Sequence, residues 1–170
     1  SGLGSYVQFN GGEVLIQGIE FSFGNIYNLN KILMPVTVSY TFTDARFKNN
    51  FESDFDPWGK VYYDDEIPYI PKNMLHAKIG LAKNSFKCFL RFKYSSKVRT
   101  VAGKAEFTNS NSINAMHVAD FVIKYQINSN ISTDFKIKNI SNSKLIASSR
   151  PAGYRPIMPR QYLISINFDY

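Results

Sequence analysis

Thiol chemistry is almost absent from this chain: the single Cys88 excludes an internal disulfide and any site built from several thiolates. Histidine is nearly as scarce. His76 and His117 are the only two, far apart in sequence, and no H-E-x-x-H, G-x-S-x-G or phosphate-binding glycine loop accompanies them. The chain therefore reads as a non-enzyme. It also lacks any apolar run of about 18 residues, which excludes a transmembrane helix and leaves a membrane β-barrel open. Its first residues, Ser1-Gly2-Leu3-Gly4, show neither the charged start nor the apolar stretch of a secretory signal. This is expected if processing or truncation has removed an earlier start. A formal charge of +7 would suit nucleic acid, but the Lys and Arg residues are spread along the chain and no aromatic stacking platform is visible. Nucleic acid is not an expected partner.

What the sequence has in quantity is Phe and Tyr, 14 and 11 of them against one Trp, scattered among Ile, Val, Ser, Thr and Asn. That mixture suits strands. The hydrophobic period is two nearly everywhere, the pattern of a sheet with unlike faces. Between Pro35 and Thr43, Val36, Val38, Tyr40 and Phe42 alternate with Thr37, Ser39 and Thr41. From Phe86 to Ser95 the apolar set Phe86, Cys88, Leu90, Phe92 and Tyr94 opposes a set carrying Lys87, Arg91 and Lys93. The same alternation runs from Ile131 to Lys138 and from Tyr162 to Tyr170, and more weakly over Val14–Phe23, Leu75–Ala82 and Ile113–Ile127. With a stub at Tyr6–Phe9 this makes seven strands and part of an eighth. On this phase His76 lies on the polar face, and His117 and Cys88 on the apolar one.

Connections alternate in length. Short turns are expected near Gly24–Lys31, Lys83–Ser85 and Asn128–Asn130, and longer loops near Asp44–Ile70, Thr100–Ser112 and Asn139–Arg160. Only Asn10-Gly11-Gly12 is short where a long connection is due. Long loops at one end and short turns at the other are the habit of outer-membrane barrels, whose short turns are periplasmic. The last strand would then leave Tyr170 in the periplasm. A soluble β-sandwich binding module would also alternate, and a passive porin-like channel would share the barrel. Against the sandwich stands the number of full charges on one face, which a wide wet lumen tolerates and a narrow core does not.

Several motifs carry a resemblance. Asn10-Gly11-Gly12 is followed by Ile16-Gln17-Gly18-Ile19-Glu20, then by Tyr40-Thr41 with Ala45 and Phe47, then by Pro68-Tyr69-Ile70-Pro71-Lys72-Asn73. In this order they resemble the C-terminal barrel region of TonB-dependent receptors. The loop from Ala147 through Arg150-Pro151-Ala152-Gly153-Tyr154-Arg155-Pro156 to Arg160 is similar to that of the ferric-dicitrate, siderophore-importing branch. The resemblance implies an all-β, antiparallel transmembrane barrel segment: about seven to eight C-terminal strands of a barrel of about twenty-two. Residues 1–170 have no counterpart to the family's plug domain or TonB box. The resemblance further implies the outer membrane of a Gram-negative bacterium, no covalently bound cofactor, and a ferric siderophore or ferric citrate as transported ligand. The TonB complex, reached through an N-terminal part missing here, the barrel-assembly machinery and outer-membrane lipid would be the other partners.

Candidate site residues follow. Arg150, Tyr154, Arg155 and Arg160 lie in the last loop, and an Arg fork suits the carboxylates of an anionic ferric chelate. A purely architectural role, with Pro151, Pro156 and Pro159 stiffening the loop, stays equally open. Tyr162, Ile164, Phe168 and Tyr170 form an alternating apolar ending that resembles the signal read by the barrel-assembly machinery; an ordinary edge strand is the plainer alternative. Asp54, Asp56, Asp64, Asp65 and Glu66 supply oxygen ligands of the kind calcium uses, but without the spacing of a known cage they read as a solvated acidic loop.

Overall fold

The computed structural model describes residues 12–55, 57–150 and 153–169. The Tyr6–Phe9 stub, Asn10, Gly11, Asp56, Pro151, Ala152 and Tyr170 lie outside them. Thirteen strands occur among the described residues. Seven of them build one antiparallel sheet: β1 (Val14–Leu29), β2 (Ile32–Phe47), β5 (Asn73–Lys83), β6 (Phe86–Ser95), β9 (Met116–Gln126), β10 (Ile131–Lys138) and β13 (Gln161–Phe168). Their spatial order is their chain order, so the sheet is a simple up-and-down meander. The other six are short and pair within the long loops: β3 (Phe51–Glu52) with β4 (Lys60–Val61), β7 (Val98–Arg99) with β8 (Ser112–Ile113), and β11 (Ile146–Ser148) with β12 (Arg155–Pro156).

Register ties the period-two pattern of each strand to its neighbours. Directly paired residues share a face, and the apolar set stays in phase across all seven strands. One row runs Val36, Ile79, Leu90, Phe121, Ile137, Tyr162; its neighbour toward the loops runs Phe23, Val38, Ala77, Phe92, Ala119. The opposite face carries Thr37, Lys78, Arg91 and Asp120 in one row and Ser22, Ser39, His76 and Lys93 in the next. His117 pairs with Tyr94 on the apolar face, as its phase requires. A single-residue slip anywhere would move one strand's apolar set to the wrong side.

The apolar face is the bare one. Ile19, Phe21, Ile79, Leu90, Tyr125, Tyr162, Ile164, Ile166 and Phe168 are all exposed, Ile164 at 77%. Among the described residues no second sheet or helix covers this face, so the sandwich alternative has no partner layer. The side chains removed from solvent lie elsewhere: Val122 and Asp134 on the polar face, and Ala45, Phe47, Val61 and Ile113 toward the loops. Water is a poor solvent for a continuous apolar face of this extent, whereas hydrocarbon is a good one. Aromatic residues stand at every level of it, with Phe21, Tyr40 and Tyr94 nearer the loops, Phe92 and Phe121 midway and Phe86 beside Tyr125 near the turns. The stretch from Phe86 to Tyr94 lies within a strand of 10 residues, and a tilted strand needs about 9–11 to cross the hydrocarbon of a membrane.

The turns are tighter than the sequence suggested at one place. Gly24–Lys31 was expected to be a connection, yet β1 continues through Gly24 to Leu29, and only Asn30 and Lys31 turn. Both have positive φ, 52° and 71°, which is the backbone of a two-residue primed hairpin turn whose twist matches the strands. The Ile113–Ile127 strand is also shorter than expected. Ser112 and Ile113 pair with Arg99 and Val98 inside a loop, and β9 starts only at Met116. The first and last strands, β1 and β13, each have a neighbour on one side only among the described residues, so the sheet is open.

Candidate functional site at the loop end of the sheet

All three long connections leave the same end of the sheet, after Phe47, Ser95 and Lys138. They pack together as one layer. In the first, Trp58 stands at the centre of edge-to-face contacts with Phe47, Phe51 and Phe55 at centroid distances of 5.9, 6.0 and 5.2 Å. Phe47 and Val61 beneath them are each 1% exposed. Such aromatic pairs contribute about 0.5–1.5 kcal/mol each beyond the area they bury. The second connection is tied to the first through backbone bonds, Ala102 N–H to the Pro57 carbonyl at 2.8 Å and Tyr69 N–H to the Arg99 carbonyl at 2.9 Å. The third joins through the Tyr69 and Ser149 hydroxyls, 2.8 Å apart.

Asp64, Asp65 and Glu66 are committed to this layer, which corrects their part of the reading as a solvated run, whereas Asp54 is exposed. Glu66 accepts from Lys72 Nζ at 2.6 Å and from Arg99 Nε at 2.8 Å, with side-chain exposures of 16% for Glu66 and 6% for Arg99. Burial alone would raise the Glu66 carboxyl, but the hydrogen bonds and charges of Lys72 and Arg99 outweigh it and hold the group below its ordinary value. Arg99 also donates to the Ala105 carbonyl and lies 4.7 Å from the Phe107 ring centroid. Asp64 pairs with Arg46 Nη1 at 3.0 Å, and Arg46 Nε binds Asp44 at 3.0 Å. Asp65 accepts the Tyr62 amide at 2.8 Å. Among the described residues no three of His, Cys, Asp and Glu are placed to hold a metal ion.

The last loop brings two of its expected residues together. Arg155, in β12, donates from Nη2 to the Arg150 carbonyl at 3.0 Å, and the same carbonyl accepts the Ser148 hydroxyl at 2.9 Å. Tyr154 beside them is 67% exposed. Arg160 stands apart, its backbone amide bound to Asn142 Oδ1 at 3.0 Å where the loop returns to the sheet. Asn139, 3% exposed, anchors that return by donating from Nδ2 to the Ser143 and Met158 carbonyls, each at 3.0 Å. Arg155 and Arg160 are exposed. At the far end of the chain, Tyr162, Ile164 and Phe168 lie on the apolar face of β13, with Tyr162 stacked against Phe135 at 6.4 Å.

Sequence reasoning did not single out Arg99, Glu66 with Lys72, or Asn139 as the fasteners of this layer. The only signal for Arg99 was a cation just after a strand-like stretch, with Lys97 close by and no carboxylate near it in sequence before Glu106. Its partner lies 33 residues away, a pairing that periodicity does not reveal.

An open meander with one apolar exposed face, one charged face, short turns at one end and a packed loop layer at the other defines a segment of membrane β-barrel wall. The family model "TonB dependent receptor-like, beta-barrel" matches residues 1–140, and the chain belongs to this family. TonB-dependent receptors are transporters, not enzymes. No curated protein matches in sequence. Among solved structures, the chain is similar to the ferric-catecholate import receptor Fiu from Escherichia coli K12, with 19% identity and a TM-score of 0.69 over 90% of this chain and 20% of that one. It is also similar to a variant of the ferric enterobactin receptor PfeA from Pseudomonas aeruginosa, with 10% identity and a TM-score of 0.50 over 91% of this chain and 31% of that one. The chain thus spans less than a third of the length of either. At these identities the likeness is one of fold.

Proposed function

We propose that this chain is a C-terminal part of the barrel of a Gram-negative outer-membrane receptor that imports a ferric siderophore or ferric citrate with energy delivered through TonB. The observation that carries the reading is the family match along a sheet whose apolar face is bare and whose other face is charged. Two solved structures of similar fold are named for ferric-catecholate and ferric enterobactin reception, which supports an anionic ferric chelate as ligand. In this reading the bare face meets lipid, the loop layer is extracellular, and contact with TonB belongs to parts of the receptor outside this chain. The apolar ending of β13 serves the barrel-assembly machinery.

Arg150, Tyr154, Arg155 and Arg160 are the proposed ligand contacts in this chain. Arg155 and Tyr154 are exposed on a hairpin pinned through the Arg150 carbonyl and Ser148, so less ordering is needed on binding. Charge-assisted bonds from Arg to a carboxylate or catecholate oxygen contribute on the order of 1.5–3 kcal/mol each when desolvated. The test is the affinity of the complete receptor for ferric chelates, at constant salt, with Arg150→Gln and Arg155→Gln. Each is expected to weaken binding about tenfold or more. Normal assembly with undiminished affinity for every anionic chelate would make these arginines architectural.

A further inference from the structure

Four basic side chains gather on the charged face of the sheet, away from the loop layer. Register sets Lys78 of β5 directly opposite Arg91 of β6, and His76 directly opposite Lys93. Side chains so paired start about 4.5–5.5 Å apart at Cβ, and like charges there destabilise the pair. Among the described residues none of Lys78, Arg91 and Lys93 takes part in an ion pair. Asp120, paired with Arg91 across β9 and holding the Asn139 amide through Oδ1 at 2.9 Å, is the carboxylate beside this group; Lys78, His76 and Lys93 have none directly opposite. Lys78 Nζ lies 4.4 Å from the centroid of the Phe89 ring, a contact that places the ammonium without neutralising it.

The neighbouring strands leave space beside these cations. Thr37 is paired with Lys78 and Ser39 with His76, and one strand further on stand Gly24 and Ser22. Small side chains at Ser22, Thr37 and Ser39 leave open a groove of about 180 Å³ between hydroxyls on one flank and Arg91, Lys93, Lys78 and His76 on the other. Its chemistry selects strongly. A metal cation or an apolar ligand would gain nothing here, whereas an oxyanion would meet a planar Arg fork, two ammonium groups and hydroxyl donors.

We propose that this groove is an anion site on the inner wall of the barrel, taking a small free oxyanion of the carboxylate or phosphate class. It rests on the barrel reading, which makes the charged face the inner one, and not on the arginines of the last loop. Binding there relieves a repulsion built into the β5–β6 register, so occupancy also stabilises the wall.

The experiment uses the complete protein in detergent micelles, titrated calorimetrically with citrate and with inorganic phosphate at constant ionic strength. The parent is expected to bind at least one of them, Arg91→Gln/Lys93→Gln to bind it at least roughly tenfold more weakly, and Lys83→Gln, at an exposed cation on the turn end of β5, to bind it as the parent does. Arg91→Lys/Lys93→Arg, which keeps both charges, is expected to retain binding. Melting gives a readout that a merely structural role would not produce: without added anion the double Gln variant melts above the parent, and citrate or phosphate raises the parent but not the variant. Equal binding by parent and double Gln variant overturns the proposal, as does binding weakened as much by Lys83→Gln. A parent unaffected by either anion, with a double Gln variant that melts lower, also overturns it: carboxylates from elsewhere in the protein would then occupy the groove.

Discussion

A barrel wall asks two different things of adjacent residues, and Thr37 and Val38 illustrate both. Val38 sits in a row of apolar side chains with Phe23 and Ala77, while Thr37 shares its row with Gly24 and Lys78. In the assembled receptor, Val38→Arg should cost roughly 2–4 kcal/mol at mid-bilayer depth. Thr37→Arg faces the wet side and should cost far less, although it adds a charge beside Lys78. The heat-modifiable band shift of folded barrels on gels, with urea titration, reads both; equal defects would reject the assigned phase. Lys31 gives a test of the opposite sign. Its φ of 71° is a left-handed conformation in the second position of the Asn30-Lys31 turn, where glycine is the favoured residue. Lys31→Gly should therefore stabilise by about 0.5–1 kcal/mol in denaturant unfolding. A destabilised variant would mean that the lysine side chain holds the turn.

At the scale of elements, the strands and the loop layer depend on different interactions. The strands are held by ladders and by whatever covers their apolar face, whereas the loops are fastened by a few charges and rings. Glu66 is ionised below its ordinary value of 4.5 because of Lys72 and Arg99. Its contribution is fully present above about pH 4.5 and is lost as pH falls through the lower value of the folded state. Protection of the Tyr69, Thr100 and Ala102 amides, taken relative to their intrinsic exchange rates, should fall at about pH 3 compared with pH 6, while that of β5 and β6 amides is kept. Arg99→Met should open the same layer at neutral pH, costing about 2–3 kcal/mol because Lys72 still pairs with Glu66; unchanged exchange would show the layer held by its aromatic cluster alone. This division explains what was legible. The alternation at Val36–Phe42 and Phe86–Tyr94 located strands and faces, because burial on a sheet is local and periodic. Glu66 with Arg99, and Tyr69 with Ser149, lie 33 and 80 residues apart, and no local pattern encodes such pairings. The Gly24 misreading has the same origin: glycine often marks a turn, but here it lies in a strand interior opposite Thr37.

For the molecule as a whole, the central claim is that the bare apolar face is the outside of a membrane barrel and the charged face its inside. Seven strands in chain order, with β1 and β13 each paired on one side only, form an arc that needs further strands to close. The arc is inverted relative to a soluble domain: Val122 and Asp134 are covered on the charged side, and Ile164 and Phe168 stand bare on the other. The resemblance carried by Ile16–Glu20 and Pro68–Asn73 named the family, which the match over residues 1–140 establishes. The orientation of the faces can be measured directly. In the complete receptor reconstituted in lipid, with Cys88→Ser as background, spin labels are placed by Val38→Cys and Ile79→Cys on one face and by Thr37→Cys and Met74→Cys on the other. Power-saturation measurements compare collisions with oxygen, which concentrates in hydrocarbon, and with a water-soluble nickel chelate. Labels at 38 and 79 are predicted to collide with oxygen and be shielded from nickel, and labels at 37 and 74 to show less oxygen contact. Nickel access at 38 and 79, with oxygen contact at 37 and 74, would contradict the account.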